Sequence, residues 1–325
     1  MQRLDHLSNI ARDFVVPLHH LSVLSVSGEQ RDDYLHGQLT VDTKTLSDST
    51  ARRTAHCDFK GKTWSLSILC RYEDAIWLCM NADCASHSLA QLNKYGVFSK
   101  VDIIDTSDTI KAYALCGSRA REWIIGQFGS LPNAPLSAQQ SNLGVVIKLE
   151  FNNDLFMVLL TAEGQSSLQA WAKEMDITEY GPEIYEALSI QQGIPDISGS
   201  TINEFVPQMM NFHLLDGIDF NKGCYMGQEV VARTRYLGKN KRAAFSFCLP
   251  EALDVSPGDT IEKSLGENWR RGGTIIRKAV LGSETWLMAV LPNDTATDTL
   301  HRLSATPQIE FKPLALPYPI EATST

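Results

Sequence analysis

Apolar residues alternate with a period of two in some stretches of the chain and recur every three or four residues in others. The run 21–27, LSVLSVS, partly alternates and ends at Gly28, which predicts a strand. A helix is predicted over 29–39, with Tyr34, Leu35 and Leu39 on one side and Gly37 as a candidate for its end. Three strands follow over 53–57, 64–70 and 75–80, and Asp58-Phe59-Lys60-Gly61-Lys62 between the first two has the composition of a hairpin turn. A helix over 82–95 and a strand over 97–104 complete a small α+β unit within 40–105.

The next part of the chain predicts a strand over 110–116, a helix over 120–128 and an exposed Pro-, Ser- and Asn-rich loop over 129–143. A hairpin over 144–151 and 155–161 turns about Asn152-Asn153-Asp154, and a helix over 165–175 follows. A second helix over 182–192 has Pro182 in its first turn and Gly193 at its end. Its residues Ile184, Tyr185, Leu188 and Ile190 form no single stripe, so it is expected to pack on two sides. The long irregular stretch 194–212 has the character of a functional loop. Beyond a boundary near Lys241 only strands are predicted, over 243–249, 271–280, 284–290 and 308–311. That pattern reads as a small all-β barrel or sandwich. No internal repeat is visible in the sequence.

Composition narrows the function classes. A chain of 325 residues is long for one core, and two or three domains are expected. Its net charge of -9 argues against a protein that grips nucleic acid over a broad surface. A basic run, Arg233, Arg235, Lys239, Lys241 and Arg242, with Arg270, Arg271, Arg277 and Lys278 further on, runs against this acidic background. With Tyr236 as its only interleaved aromatic, the run reads as a solvated face or a protein-docking patch, and stable tRNA or DNA binding is not expected. No apolar run approaches the roughly 20 residues of a membrane span, and the start of the chain lacks a signal core, which predicts a cytoplasmic protein.

The seven cysteines show no C-x-x-C spacing, so no metal site is predicted, and Cys70, Cys79, Cys116 and Cys248 lie in apolar runs as expected of core residues. In His56-Cys57-Asp58 a strand would turn Cys57 away from its neighbours, so no three-residue centre is expected there. His19-His20 has no partner spacing and is expected at the surface.

The stretch with specific chemistry is Asn221-Lys222-Gly223-Cys224-Tyr225-Met226-Gly227-Gln228-Glu229. Two glycines four apart suit a sharp turn or a close approach of backbone. The run 229–236 reads as a short helix ending at Gly238, which places Cys224 just before a helix N-terminus. The partial positive charge there, with Lys222, would favour a thiolate; the spacing fits a structural loop with a buried thiol equally well. Gln228 and Glu229 are candidates for bonds to loop or ligand. Glu229 and Arg233 are also spaced as an ordinary helix-surface pair.

Residues 222–229, KGCYMGQE, resemble the signature of the YgfZ family, folate-binding relatives of the glycine-cleavage T-protein, an aminomethyltransferase. The segments 36–42, 55–62, 95–101 and 266–271 are similar to family segments too, so the resemblance runs from about residue 20 to about residue 315. It implies an α+β, three-domain T-protein-like (aminomethyltransferase) fold around a central channel. The folate-binding region would occupy 1–242 with a ferredoxin-like insertion at about 45–108, and a C-terminal β-barrel would occupy 243–325. It implies tetrahydrofolate or a derivative as ligand. It further implies a part in tRNA modification, at thiolation steps that depend on iron–sulfur enzymes, and through it an indirect influence on replication initiation. Those enzymes would be transient partners of a monomer. The signature residues Lys222, Gly223, Tyr225, Gly227, Gln228 and Glu229 would surround Cys224 as a reactive thiol. The family's folate site carries two tryptophans. Counting from Gly28 and from Gly193 places them at Leu21 and Tyr185, where a tyrosine still stacks and a leucine offers only apolar contact. The accessory role leads over a folate-dependent one-carbon transferase, because no general base stands out beside the folate positions.

Overall fold

The structure is a computed structural model that describes residues 1–236 and 240–320. Its first half repeats one order of elements twice. The first copy runs strand Leu21–Ser27, helix Arg31–Gln38, strands Ala51–Cys57, Thr63–Tyr72 and Ala75–Asn81, helix Ala82–Gly96 and strand Asp102–Asp105. The second runs strand Lys111–Cys116, helix Ser118–Phe128, strands Ala138–Ser141, Gly144–Lys148 and Leu155–Leu160, helix Ala162–Glu174 and strand Thr178–Glu179. In each sheet the three middle strands stack in sequence and the first strand lies beside the third of them. The second sheet differs by one added strand, Phe14–Pro17, inserted between Lys111–Cys116 and Thr178–Glu179.

Strand Leu21–Ser27 pairs with both Ala75–Asn81 and Asp102–Asp105 and is buried along its middle. It is therefore an interior strand of the first sheet. The strands within the segment expected at about 45–108 thus share one sheet with Leu21–Ser27, outside those bounds, while Phe14–Pro17 lies in the second sheet. That strand is only four residues long and ends in proline, too little alternation to read from sequence.

The strand expected over 97–104 is also corrected. Only Asp102–Asp105 is a strand, and Val97 and Phe98 lie in the turn before it, 70% and 98% exposed. The turn is set by packing: a Cβ at Gly28 would sit 2.4 Å from the Lys100 carbonyl oxygen, so the chain must swing close over a bare backbone there. The loop expected over 129–143 contains a short edge strand, Ala138–Ser141.

The remaining six strands form one sheet, in the order Arg242–Leu249, Thr285–Pro292, Asn268–Val280, Thr260–Leu265, His301–Leu303 and Thr306–Phe311. The Leu314 amide donates to the Ser246 carbonyl at 2.8 Å, bringing the chain beyond the last strand back onto the first. Phe247, Leu249, Ile261, Ile275, Leu287 and Phe311 fill the interior. Two of these strands escaped the pattern. Thr260–Leu265 is half-polar and mostly half-buried, and His301–Leu303 spans three residues.

Helix Pro182–Gln191 joins the barrel to the second sheet. It packs on barrel strands Arg242–Leu249, Asn268–Val280 and Thr285–Pro292 from one side and meets Phe14–Pro17 on the other, as its broken stripe predicts. Ile184, Tyr185, Ala187, Leu188, Ser189 and Ile190 are all buried. Burial of each large apolar side chain contributes about 1.5–3 kcal/mol, so this helix holds the molecule together as much as it spaces it.

Candidate functional site

A small cavity opens where the three sheets meet, with about 60 Å³ of room for water-sized groups. Leu21, Cys79, Met80 and Asn81 line it from the first sheet, Leu149 and Met157 from the second, and Arg277 from the barrel. Tyr185 projects into it from helix Pro182–Gln191, and Pro195 and Asp196 from the irregular stretch that follows. The two positions reached by counting, Leu21 and Tyr185, thus share one wall although 164 residues separate them in sequence (185 − 21).

Tyr185 and Phe151 lie with ring planes 29° apart and centroids 6.3 Å apart. Burial pushes the Tyr185 hydroxyl up to about 12, so the ring stays neutral. The Arg277 guanidinium sits 5.7 Å from the same ring. It is fixed by two bonds to Glu186, at 2.7 and 2.8 Å, and by one to the Ile194 carbonyl at 2.9 Å. Burial alone would raise the Glu186 carboxyl; Arg277 and a 2.8 Å bond from His20 Nε2 outweigh it and hold the group down at about 2. Arg277 and His20 were expected at the surface. Both instead converge on Glu186, because helix Pro182–Gln191 turns that carboxylate inward toward the barrel.

Two further groups give the cavity its polarity. Arg53 is 3% exposed and is bonded to Glu150. Asp196 accepts from Asn81 at 3.0 Å and from the Ile197 amide at 2.9 Å, yet burial raises its carboxyl above the ordinary carboxylate range. Nothing in the local sequence marks Asp196 or Arg53. They are polar lining residues by virtue of the fold alone.

The Cys224 loop lies elsewhere. Neither Cys224 nor any other signature residue lines the cavity. Cys224 is exposed, four residues ahead of helix Gln228–Tyr236, whose start is one residue earlier than expected. The expected end at Gly238, and Lys239 of the basic run, lie outside the described residues.

The loop is pinned by two of the sequence segments that resemble the family, 36–42 and 55–62. The Met226 amide donates to the Gly37 carbonyl at 3.1 Å. A Cβ at Gly223 would sit 2.9 Å from His36 Nε2. Gly227 has φ +82°, and a Cβ there would meet the Asp58 carbonyl oxygen at 2.4 Å and Gly61 at 2.9 Å. Glycine at 227 is thus required twice, by backbone conformation and by the turn Asp58–Lys62 pressed against it. That turn is itself tied by the Asp58 carboxylate, which accepts from the Lys60 and Lys62 amides at 2.8 and 2.7 Å.

Lys222 does not turn to the thiol. Its ammonium donates to the carbonyls of His36 and Leu39, at the C-terminus of helix Arg31–Gln38, and lies 4.8 Å from the Tyr225 ring centre. Burial lowers the ammonium to about 8. Helix Arg31–Gln38 is capped by Leu39, so Gly37 is its penultimate residue and not its stop. Tyr225 is buried with Ile218 and Val231 and anchors the loop. The Gln228 amide closes onto the Tyr225 carbonyl at 3.2 Å, and Glu229 and Arg233 are exposed and do not pair. Cys57, behind the loop, is buried and its thiol is pushed far up, and His56 is buried and lowered to about 3, bonded to Ser88. Among the described residues no group of three or more His, Cys, Asp or Glu is placed to hold a metal ion.

Two like α+β sheets with a C-terminal barrel are a fold shared with the glycine-cleavage T-protein. The structure of glycine cleavage system aminomethyltransferase T from Bartonella henselae superposes with a TM-score of 0.76 over 96% of this chain and 88% of that one, at 16% identity, which shows the shared fold. Residues 240–306 match the family model described as YgfZ, beta-barrel domain. The chain is 34% identical to the tRNA-modifying protein YgfZ of Colwellia psychrerythraea over 297 residues, 90% of each chain. It is 32% identical to the tRNA-modifying protein YgfZ of Aliivibrio fischeri over 315 residues, covering 97% of this chain and 94% of that one. The chain belongs to the YgfZ family.

Proposed function

We propose that the chain is a cytoplasmic folate-binding protein that supports tRNA modification, acting as an accessory to iron–sulfur enzymes that thiolate tRNA. Through them it would help to maintain iron–sulfur proteins and would influence replication initiation indirectly. The observation that carries the ligand is the cavity at the junction of the three sheets. It combines a flat aromatic wall, an apolar middle and a few buried polar groups, the makeup of a small-molecule site.

The donor set fits tetrahydrofolate. Tyr185 and Phe151 would lie against the pterin, whose ring N–H groups match the free lone pairs of Asp196. Leu21, Leu149 and Met157 would hold the apolar middle of the ligand. In this reading Cys224 is a thiol presented to a partner enzyme, held outside the folate cavity by a rigid loop. No helix among the described residues is long and apolar enough to cross a membrane.

The reading is tested in cells and in the tube. Cys224→Ala should abolish support of thiolated tRNA bases while leaving tetrahydrofolate binding unchanged. Full thiolation in cells that carry only the alanine variant would sink the role of the thiol. One observation favours a second reading. Asp196, a carboxyl raised by burial inside the cavity, is the group best placed to move a proton in a one-carbon transfer. Turnover of tetrahydrofolate to its methylene form with an aminomethyl donor and release of ammonia, lost in Asp196→Asn, would promote that reading over the accessory one.

A further inference from the structure

The basic run follows the Cys224 loop, and the fold adds to it what the sequence lacked. Phe59, at the tip of the turn Asp58–Lys62, is 72% exposed with Lys60 Nζ 5.5 Å from its ring centre. The close approach of Gly61 to the Gly227 carbonyl and the Val230 side chain sets this turn beside the start of helix Gln228–Tyr236. Tyr236, 65% exposed, lies at the other end of that helix, about 13 Å away at 1.5 Å per residue. Arg233 is exposed between the two rings. Lys62, Arg242 and Arg271, with one carboxylate, Glu204, line an open groove that continues the basic surface onto the barrel.

Many arginines elsewhere in the molecule are neutralised: Arg52, Arg53, Arg71, Arg277 and Arg302 each pair with a carboxylate. Among the described residues, none of Lys60, Lys62, Arg233, Arg242 and Arg271 does. In a chain of net charge -9 this is a local excess of free cations, interleaved with two exposed rings. Cations that track a phosphate backbone and rings on which bases stack are the two components of a single-strand binding surface. An acidic protein segment would use the cations but would leave Phe59 and Tyr236 without a planar partner.

We propose that this face, from Phe59 through the helix to the Lys62–Arg242–Arg271 groove, docks an unpaired stretch of RNA across the entrance to the Cys224 loop. The contact is salt-labile, as phosphate contacts are. The proposal deepens the accessory role, and it rests on that reading only for the identity of the RNA as tRNA.

The test is fluorescence anisotropy of the full chain with a labelled unmodified tRNA transcript and with a labelled single-stranded oligonucleotide, at salt concentrations from low to physiological. Phe59→Ala should weaken both by about 5- to 100-fold. Arg242→Ala with Arg271→Ala should weaken both and flatten the slope of log K against log salt by about 1.4, two phosphates at roughly 0.7 each. A duplex of equal length should bind more weakly than the single strand. Three results would each overturn the proposal: no binding to the intact chain at low salt, binding that Phe59→Ala leaves unchanged, or displacement of the RNA by poly-glutamate at equal charge. Titration of the same variants with tetrahydrofolate separates the two readings. These substitutions should leave it unchanged, so a failure to bind folate would count against the cavity and not against this face.

Discussion

The cavity and the Cys224 loop are built by opposite means. The cavity is made of side chains from distant parts of the chain, and its polar groups are held by buried ion pairs such as Arg277–Glu186. The loop is made of neighbours in sequence, and it is held by backbone: Gly227 against Asp58, Met226 against Gly37, Lys222 against two helix carbonyls. A site of the first kind can change its lining residues and keep its shape. A site of the second kind depends on particular glycines, which explains why it is a contiguous motif.

The largest effect that would break this contrast is on the ion pair. Arg277→Met leaves Glu186 charged and buried beside the cavity and should cost about 3–5 kcal/mol in urea denaturation, with part restored by adding Glu186→Gln. A loss under 1 kcal/mol would mean that the pair is not structural. Next, Gly227→Ala should cost about 2 kcal/mol or more, from the positive φ and the contact with Asp58. It should also change the alkylation rate of Cys224 while leaving folate binding intact. An equal loss of folate binding would show that loop and cavity are one site.

Acid should act on the cavity through Glu186. Glu186 is held at about 2 against an ordinary 4.5, so its stabilisation is fully present above pH 4.5 and is lost as the pH falls toward 2. Acid unfolding followed by circular dichroism should therefore be shallower in Glu186→Gln. An unchanged profile would remove the carboxylate from the account. The smallest expected effect is that of Cys224→Ala on stability, within about 0.5 kcal/mol, because the side chain is exposed.

The same contrast explains what could be read from sequence. The loop was legible because its determinants are consecutive, and helix Pro182–Gln191 was legible down to its two-sided packing. Leu21 and Tyr185 were reached only by counting from neighbouring glycines within a family resemblance. Asp196, Arg53 and the inward turn of His20 and Arg277 were not legible, since each takes its role from partners in another sheet. The duplicated order of elements was hidden for the same kind of reason. It is a property of strand pairing, and the two copies fill their strands with different residues. Lys222 shows the limit of local reasoning. Two residues from the thiol in sequence, it is drawn away by the orphan carbonyls of a helix end.

The central claim is that folate and thiol occupy separate sites. Calorimetric titration of tetrahydrofolate into the intact chain, Tyr185→Ala and Cys224→Ala tests it most directly. The account predicts saturable binding to the intact chain, about tenfold weaker binding to Tyr185→Ala and unchanged binding to Cys224→Ala. Binding that survives Tyr185→Ala undiminished, or that is lost in Cys224→Ala, would contradict it.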